Sequence, residues 1–514
     1  MSGPTRDEFV ALARDYTVVP VWREVLADLE TPVSAFAKLV GDREGFLLES
    51  VEHGEHWGRF SFIGRDPALT LVARGQQVEI TGGATTPGLP RDQGILAALE
   101  ALLAWYRAPT MPDLPPFHGG LVGYLGYDVV REIERLPDVP SDDLGYPDAV
   151  LSLTGHVTAF DHFRQRLFLI ENVFVVPGAS ADDAGVAYDD AQARLDASVD
   201  ELARPLPYVP SAPPPEQMDE LPSFTSTMPG GLFQAAVEAA REYIFAGDIF
   251  EIILAQRFDL DGDFDPFEVY RVLRQINPSP YMYFIAHPEA TVVGSSPEAL
   301  VKLVDGRVIS RPIAGTRWRG RTDEHDRRMA AELIEDPKER AEHIMLVDLA
   351  RNDVGRVVRY GSERVDELMT LERYSHVMHM TSQVSGDLAD GKTAVDVLRA
   401  TFPAGTVSGA PKVRAMEIID ELEPRKRGPY AGVVGYFDFS GNLDTAITIR
   451  TMLWRDGRAS VAAGAGVVAD SDPDDENLEC HNKAKALLTA AAAAQRLAPL
   501  DKLETGAGCH EPAG

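Results

Sequence analysis

Cysteine is almost missing from this 514-residue chain. Only Cys480 and Cys509 occur, too few for a disulfide framework or a four-cysteine zinc site, and the count fits a reducing compartment. No uninterrupted apolar run approaches the roughly 18 residues that a membrane span needs. The opening MSGPTRDEFVALARDY is charged early and lacks the apolar core of a secretory signal. Basic residues are the minority: 49 Lys and Arg face 80 Asp and Glu, a formal net charge of -31. That balance opposes general affinity for nucleic acid or an anionic membrane. An anionic small molecule would need a local exception built from arginines, helix N-termini or a cation. The expectation is a cytoplasmic α/β protein with no nucleic-acid and no membrane partner.

Nucleotide-binding glycine signatures are also missing, because GTVSGAPK lacks the GxxxxGK[ST] spacing and no GxGxxG follows an early strand. What the chain has is enough length for two or more packed layers. The stretch PLPYVPSAPPPEQMDELP is its clearest break, since prolines remove backbone donors and favour extended structure. This gives an N-terminal region 1–204, a proline-rich linker 205–223, a main region 224–498 and an aperiodic tail 499–514. FLLESVE, RFSFIG, ALTLVAR and QVEI read as strands before the linker, and QARLDASVDELARPL as a helix. ATVVGSSPEAL, RVISRPIAGT, DTAITIRTMLW and RASVAAGAGVVAD supply strand-like runs after it, separated by helices such as DRRMAAELI and PKVRAMEIIDEL. The reading is one large α/β fold of the α+β type, with helices over sheets and the N-terminal half contributing to the core.

Two pairs of glutamates stand at helical spacing. In DPKERAEHIMLVDL, Asp336 is a helix cap, Pro337 opens the first turn, and Glu339 takes the capping-box position. Glu339 and Glu342 then share one helical face. DDENLECHNKAKALL repeats the geometry with Glu476 and Glu479, and Lys483 lies four residues beyond Glu479. Two such faces brought together form an oxygen-only site of the kind magnesium uses. Alternatively, each pair is a solvated face with Lys338 bonded to Glu342 and Lys483 to Glu479.

Glycines mark two further places. Gly405-Thr406 and Ser408-Gly409 in TFPAGTVSGAPK could aim backbone donors and hydroxyls at a carboxylate, helped by the following helix. Gly464 and Gly466 in VAAGAGVV could admit close backbone approach to the same anion. His376 and His379 are spaced by three but lack the cysteines of a zinc site, and His379 suits a neutral imidazole that moves a proton. Arg450 ends the alternating TAITIR, where a strand could present a guanidinium to a carboxylate.

In order along the chain, PIAGT, ERAEHIMLVDLARND, GTVSGAPK, GPYAGVVGY, IRTM and ENLECHNKA together resemble the chorismate-utilising enzyme family, and within it the anthranilate-forming synthases. The likeness spans nearly the whole chain and is densest from about Phe224 to Ala490. It implies a large two-sheet fold with helices on the outer faces and a central cleft. It also implies that Glu342 and Glu479 hold Mg2+ against the ring carboxylate of chorismate, supported by Glu339 and Glu476. Tyr430 and Arg450 would bind the enolpyruvyl side. Gly315, Thr316, Thr406, Gly464, Gly466 and Lys483 would shape or contact the substrate. Glu298 in GSSPEAL resembles the acid that protonates the departing C4 hydroxyl; otherwise it starts a helix capped by Ser295 or Ser296.

The implied reaction adds ammonia at C2 of chorismate and then expels pyruvate, with His379 moving the proton. A synthase that stops at the 2-amino intermediate and a catalytically silent homologue are the alternatives. Ala314 stands where relatives that form the 4-amino product resemble this segment with lysine, so the covalent route through an amine is closed. Glu251 departs from the family, whose ammonia users often show glutamine there. No cysteine nucleophile in a glycine-rich elbow is evident, so ammonia would come from a separate glutamine amidotransferase subunit. A feedback site for L-tryptophan is expected from Leu48, Glu49 and Ser50 with Asn277, Pro278, Tyr281, Met282 and Tyr283, which combine an apolar ring pocket with polar partners.

Overall fold

The computed structural model describes residues 3–52, 56–84, 86–208, 211–213, 221–373 and 377–497. His376, Cys509, the tail 499–514 and linker residues 209–210 and 214–220 lie outside them. Among the described residues, two antiparallel sheets of twelve and eleven strands form the body. The first runs in space from Val18–Leu26 through Arg166–Phe174, His156–Asp161, Phe60–Arg65 and Gly45–Glu49. It continues directly into Tyr281–Ala286, Thr291–Ser296, Thr451–Arg455, Arg458–Val467, Glu251–Leu260 and Phe224–Ser226. The seam is the pairing of Leu48 with Tyr283. In the second sheet, Gly120–Leu125 pairs with Val433–Asp438 in the same way. Sequence on both sides of the linker therefore builds both sheets.

Alternation along the strands decides the layers. In Gly45–Glu49, Phe46 faces the second sheet and Leu47 faces helices. Between the sheets lie Phe46, Phe62, Phe117, Tyr124, Tyr283 and Val434. Outside the first sheet, Phe36, Leu195, Phe233, Tyr270, Ile418 and Leu487 seat six amphipathic helices. Outside the second, Leu99, Val354 and Leu398 seat Gly94–Trp105, Pro337–Gly355 and Ala394–Thr401. The order helix, sheet, sheet, helix follows from burying two faces of each sheet.

Two of the strand connections that pass from one sheet to the other matter for the site. Thr291–Ser296 belongs to the first sheet and Ala299–Val304 to the second, so Glu298 stands at the crossing. Leu443–Ile447 and Thr451–Arg455 make the reverse passage, with Arg450 in the link at φ 51°. The passages touch, since the Ile447 amide donates to the Glu298 carbonyl at 3.0 Å. The sequence readings are corrected at both points: Glu298 starts no helix, and Arg450 is not a strand residue. Ser295 Oγ instead donates to the Asn277 carbonyl, and Ser296 Oγ to that of Ile447 at 2.7 Å.

Candidate active site

Two capped helices deliver the carboxylates. Asp336 accepts from the amides of Lys338 and Glu339 with Pro337 in the first turn, and Asp472 does the same for Asp474 and Asp475 ahead of Pro473. Both caps satisfy donors that the first turn leaves free. Burial raises the Glu342 carboxyl above its ordinary range, and Glu339 and Glu479 push it further. Burial also raises Glu476, with Glu479 adding to it. Glu339, read from sequence as a capping-box residue, instead bonds Arg317 Nη1 at 2.8 Å. Lys338 meets Asp470 at 3.6 Å. Among the described residues, no three His, Cys, Asp or Glu side chains stand as a ready-made ion cage.

Lys483 is the electrostatic hub. Its Nζ donates to the Gly464 carbonyl at 2.8 Å and lies 2.6 Å from Glu479 Oε1. The same ammonium lowers the carboxyls of Glu251, Glu298, Glu342 and Glu476 against burial. Four acids from a strand, a sheet crossing and two helices thus feel the field of one cation. Glu298 is buried and its pKa is pushed up to about 8, with only the Thr406 hydroxyl, 3.2 Å from each oxygen, and Lys483 opposing. Burial and then Glu342 raise Glu251 to about 7. Both carboxyls can be protonated near neutrality.

On the far side, His379 lies in Val377–Asp387, paired with Thr316 and Glu372. Gly315, at φ 70°, forms the irregularity of the facing strand and gives His379 a backbone hydrogen bond. A side chain at Gly315 would also meet Glu339 Oε2 at 2.8 Å. Burial lowers the His379 pKa and Arg450 lowers it further, so the imidazole is neutral at neutral pH. Ala314 is buried beside this irregularity.

Arg450 is half-buried, and its guanidinium donates to the Lys483 carbonyl at 3.1 Å and feels both Tyr430 and Glu479. Gly464 and Gly466 pair with Ala255 and Ile253. A Cβ at Gly464 would stand 2.9 Å from Tyr430 Oη, and one at Gly466 would stand 3.0 Å from Glu251 Oε1. Both glycines let the strand lie against reactive side chains.

One sequence reading changes. Ser408 Oγ turns inward to the Ala404 carbonyl at 2.7 Å and so presents no hydroxyl to an anion. Lys412 is held by Asp353 at 2.8 Å and the Thr401 carbonyl at 3.1 Å. Cys480 is buried with its thiol pushed up to about 12, which leaves it without nucleophilic thiolate.

A second cavity of about 420 Å³ opens between the sheets, lined by Leu48, Ser50, Tyr281, Tyr283, Lys302 and Asp444 among others. Met282 lines this cavity as well, while also packing in the helix-facing core. The Glu49 carboxylate is turned away, accepting from Tyr270 Oη at 2.6 Å and from Arg274 at 2.7 and 2.9 Å. Alternation explains the correction, because Leu48 and Glu49 cannot face the same side. Asn277 ends the helix Pro266–Ile276 and Pro278 follows it, both half-buried.

This arrangement can support acid-base chemistry on a small anion. Residues 46–489 match the family model of the chorismate binding enzyme, and the chain belongs to that family. It is 49% identical over 508 residues to anthranilate synthase component 1 of Mycolicibacterium smegmatis, covering 96% of this chain and 94% of that one. The crystal structure of anthranilate synthase component I from Streptococcus pneumoniae superposes with a TM-score of 0.72 at 36% identity, covering 90% of this chain and 99% of that one. The menaquinone-specific isochorismate synthase of Escherichia coli shares the fold at TM-score 0.67 and 18% identity, over 94% and 97% of the two chains. Among the described residues no helix is long and apolar enough to cross a membrane.

Proposed function

We propose that this chain is the synthase component of an anthranilate synthase, converting chorismate and ammonia to anthranilate, pyruvate and one water. The observation that carries this reading is the buried Glu298 carboxyl against the Thr406 hydroxyl, with Lys483 held between Glu479 and the Gly464 carbonyl nearby. Glu342 and Glu479, with Glu339 and Glu476 beside them, would hold Mg2+, since neighbouring carboxylates that push up Glu342 and Glu476 fit a hard divalent cation. The ion would supply charge neutralisation for the substrate carboxylate.

Arg450 and Tyr430 bind the enolpyruvyl group over the Gly464 backbone. Glu298, protonated near neutrality, gives its proton to the C4 hydroxyl as ammonia bonds to C2, and water leaves. Neutral His379 then takes the C2 proton. The C3–O bond breaks, the ring becomes aromatic, and the departing enolpyruvate gains a proton to become pyruvate. Ala314 offers no amine to attack C2, which favours direct addition of ammonia over the covalent route to a 4-amino product.

Ammonia comes from a glutamine amidotransferase subunit, and L-tryptophan inhibits by filling the inter-sheet cavity beside Leu48, Ser50, Tyr281 and Tyr283. Incubating purified chain with chorismate, Mg2+ and ammonium tests the reaction. Equal amounts of 2-aminobenzoate and pyruvate are expected, with none from glutamine unless the partner is added. A dominant 4-amino isomer refutes the assignment.

A further inference from the structure

Arg427 has no part in the reaction just described, yet it is bonded to the segments that carry it. The guanidinium is buried, with its side chain 3% exposed. Nη1 donates to the Val407 carbonyl at 2.6 Å and Nη2 to the Ile253 carbonyl at 2.8 Å. Nε and Nη2 also donate to Glu423 at 2.9 and 2.6 Å. Glu423 Oε1 in turn accepts from the Ala255 amide at 2.8 Å. The cation lies 4.7 Å from the Tyr127 ring centroid and 5.9 Å from that of Tyr430.

A buried ion pair is weak evidence for stability, because an apolar pair of equal volume often serves as well. What a guanidinium adds is direction: a rigid planar fork fixes several acceptors relative to one another. Each acceptor here is close to a site residue. Val407 follows Thr406, whose hydroxyl meets Glu298. Ile253 is two residues from Glu251 and pairs with Gly466. Tyr430 lies over Gly464.

We propose that Arg427, oriented by Glu423, is a positioning residue that locks the Thr406 turn, the Glu251 strand and Tyr430 together and so aims Thr406 at Glu298. The lock rests on geometry alone; its catalytic effect rests on the acid role proposed for Glu298. The groups acting on Glu298 are Thr406 and Lys483, while Asp353 shares its small cavity. Thr406 opposes the rise caused by burial. Releasing Thr406 therefore raises the Glu298 pKa, makes it a weaker acid and moves the falling limb of kcat/KM to higher pH, since activity is lost as Glu298 ionises.

Four variants test this: Arg427→Lys, the apolar pair Glu423→Leu/Arg427→Met, Thr406→Val, and Thr406→Val combined with the apolar pair. The apolar pair guards against misfolding of the lysine variant. Amide hydrogen exchange without ligand should quicken at 405–409 and 251–253 in the position-427 variants and stay unchanged in the distant strand Leu69–Arg74. Per folded molecule, kcat should fall at least about tenfold with the basic limb shifted upward. Thr406→Val should shift the limb alike, and combining it with the apolar pair should add no further shift. Unchanged exchange at 405–409 in folded variants overturns the lock, whatever wild type makes from chorismate. Faster exchange with wild-type kcat and limb overturns its catalytic consequence. Failure of wild type to turn chorismate over refutes the proposed function separately, and exchange still decides the lock.

Discussion

Replacing Glu298 by glutamine should remove a pH-dependent loss of stability that the wild-type fold carries. Glu298 is 8% exposed, and its pKa is pushed to about 8 from an ordinary 4.5. A carboxyl whose folded pKa lies above its unfolded value contributes stability that is complete below the unfolded pKa and is lost as pH rises through the folded one. Between about pH 5.5 and about pH 8.5, these values correspond to a loss of ~3 kcal/mol from this group alone. Glutamine keeps the shape and an acceptor for Thr406 but does not ionise. Urea unfolding of both proteins at both pH values gives the difference of differences, in which Glu251, Glu342 and Glu476 largely cancel. The variant should retain ~3 kcal/mol more than wild type on going to the higher pH while losing turnover. A double difference below about 1 kcal/mol would show that Glu298 is not held protonated, and the acid role would fall with it.

Gly464→Ala should cut kcat/KM by at least about tenfold in steady-state assays, because its Cβ would stand 2.9 Å from both the Leu254 carbonyl and Tyr430 Oη. His379→Ala should let the nonaromatic 2-amino intermediate accumulate in mass-resolved product analysis. On the acid side, wild-type kcat should fall only below the ordinary histidine value of 6.5, since burial lowers the His379 pKa. Glu342→Gln should raise the Mg2+ needed for half-maximal rate by at least about tenfold in a metal titration, and Glu339→Gln by less because Arg317 holds that carboxylate. Glu49→Ala should lose about 3 kcal/mol of stability in urea by removing the buried carboxylate that Arg274 and Tyr270 both donate to. Ser50→Ala should fold like wild type and show weaker inhibition by tryptophan.

The helix pairs were legible because their signals are local. Asp336-Pro337 and Asp472-Pro473 announce helix starts, and i, i+3 spacing puts Glu339 with Glu342 and Glu476 with Glu479 on shared faces. Most strands were legible from alternation for the same reason. For Glu298 the local pattern Ser-Pro-Glu also allowed a helix start, and only sheet pairing shows a crossing there. Arg450 was misread because the alternating run extends through it while the chain changes sheets. Arg427 gave no signal, since KRG resembles an exposed basic turn until Val407, Ile253 and Glu423 surround it.

The sequence by itself determined the helix caps, the phasing of the carboxylates, the alternating strands and the ordered motifs of the family, because each depends on neighbours within a few residues. Tertiary structure decided which faces those elements present and what their charges experience. It turned Glu49 from the inter-sheet cavity to Arg274, put four separated acids in the field of Lys483, and kept Glu298 and His379 neutral by burial. A pKa depends on desolvation and on charges contributed by remote segments. Those quantities exist only after residues some two hundred positions apart share one cleft.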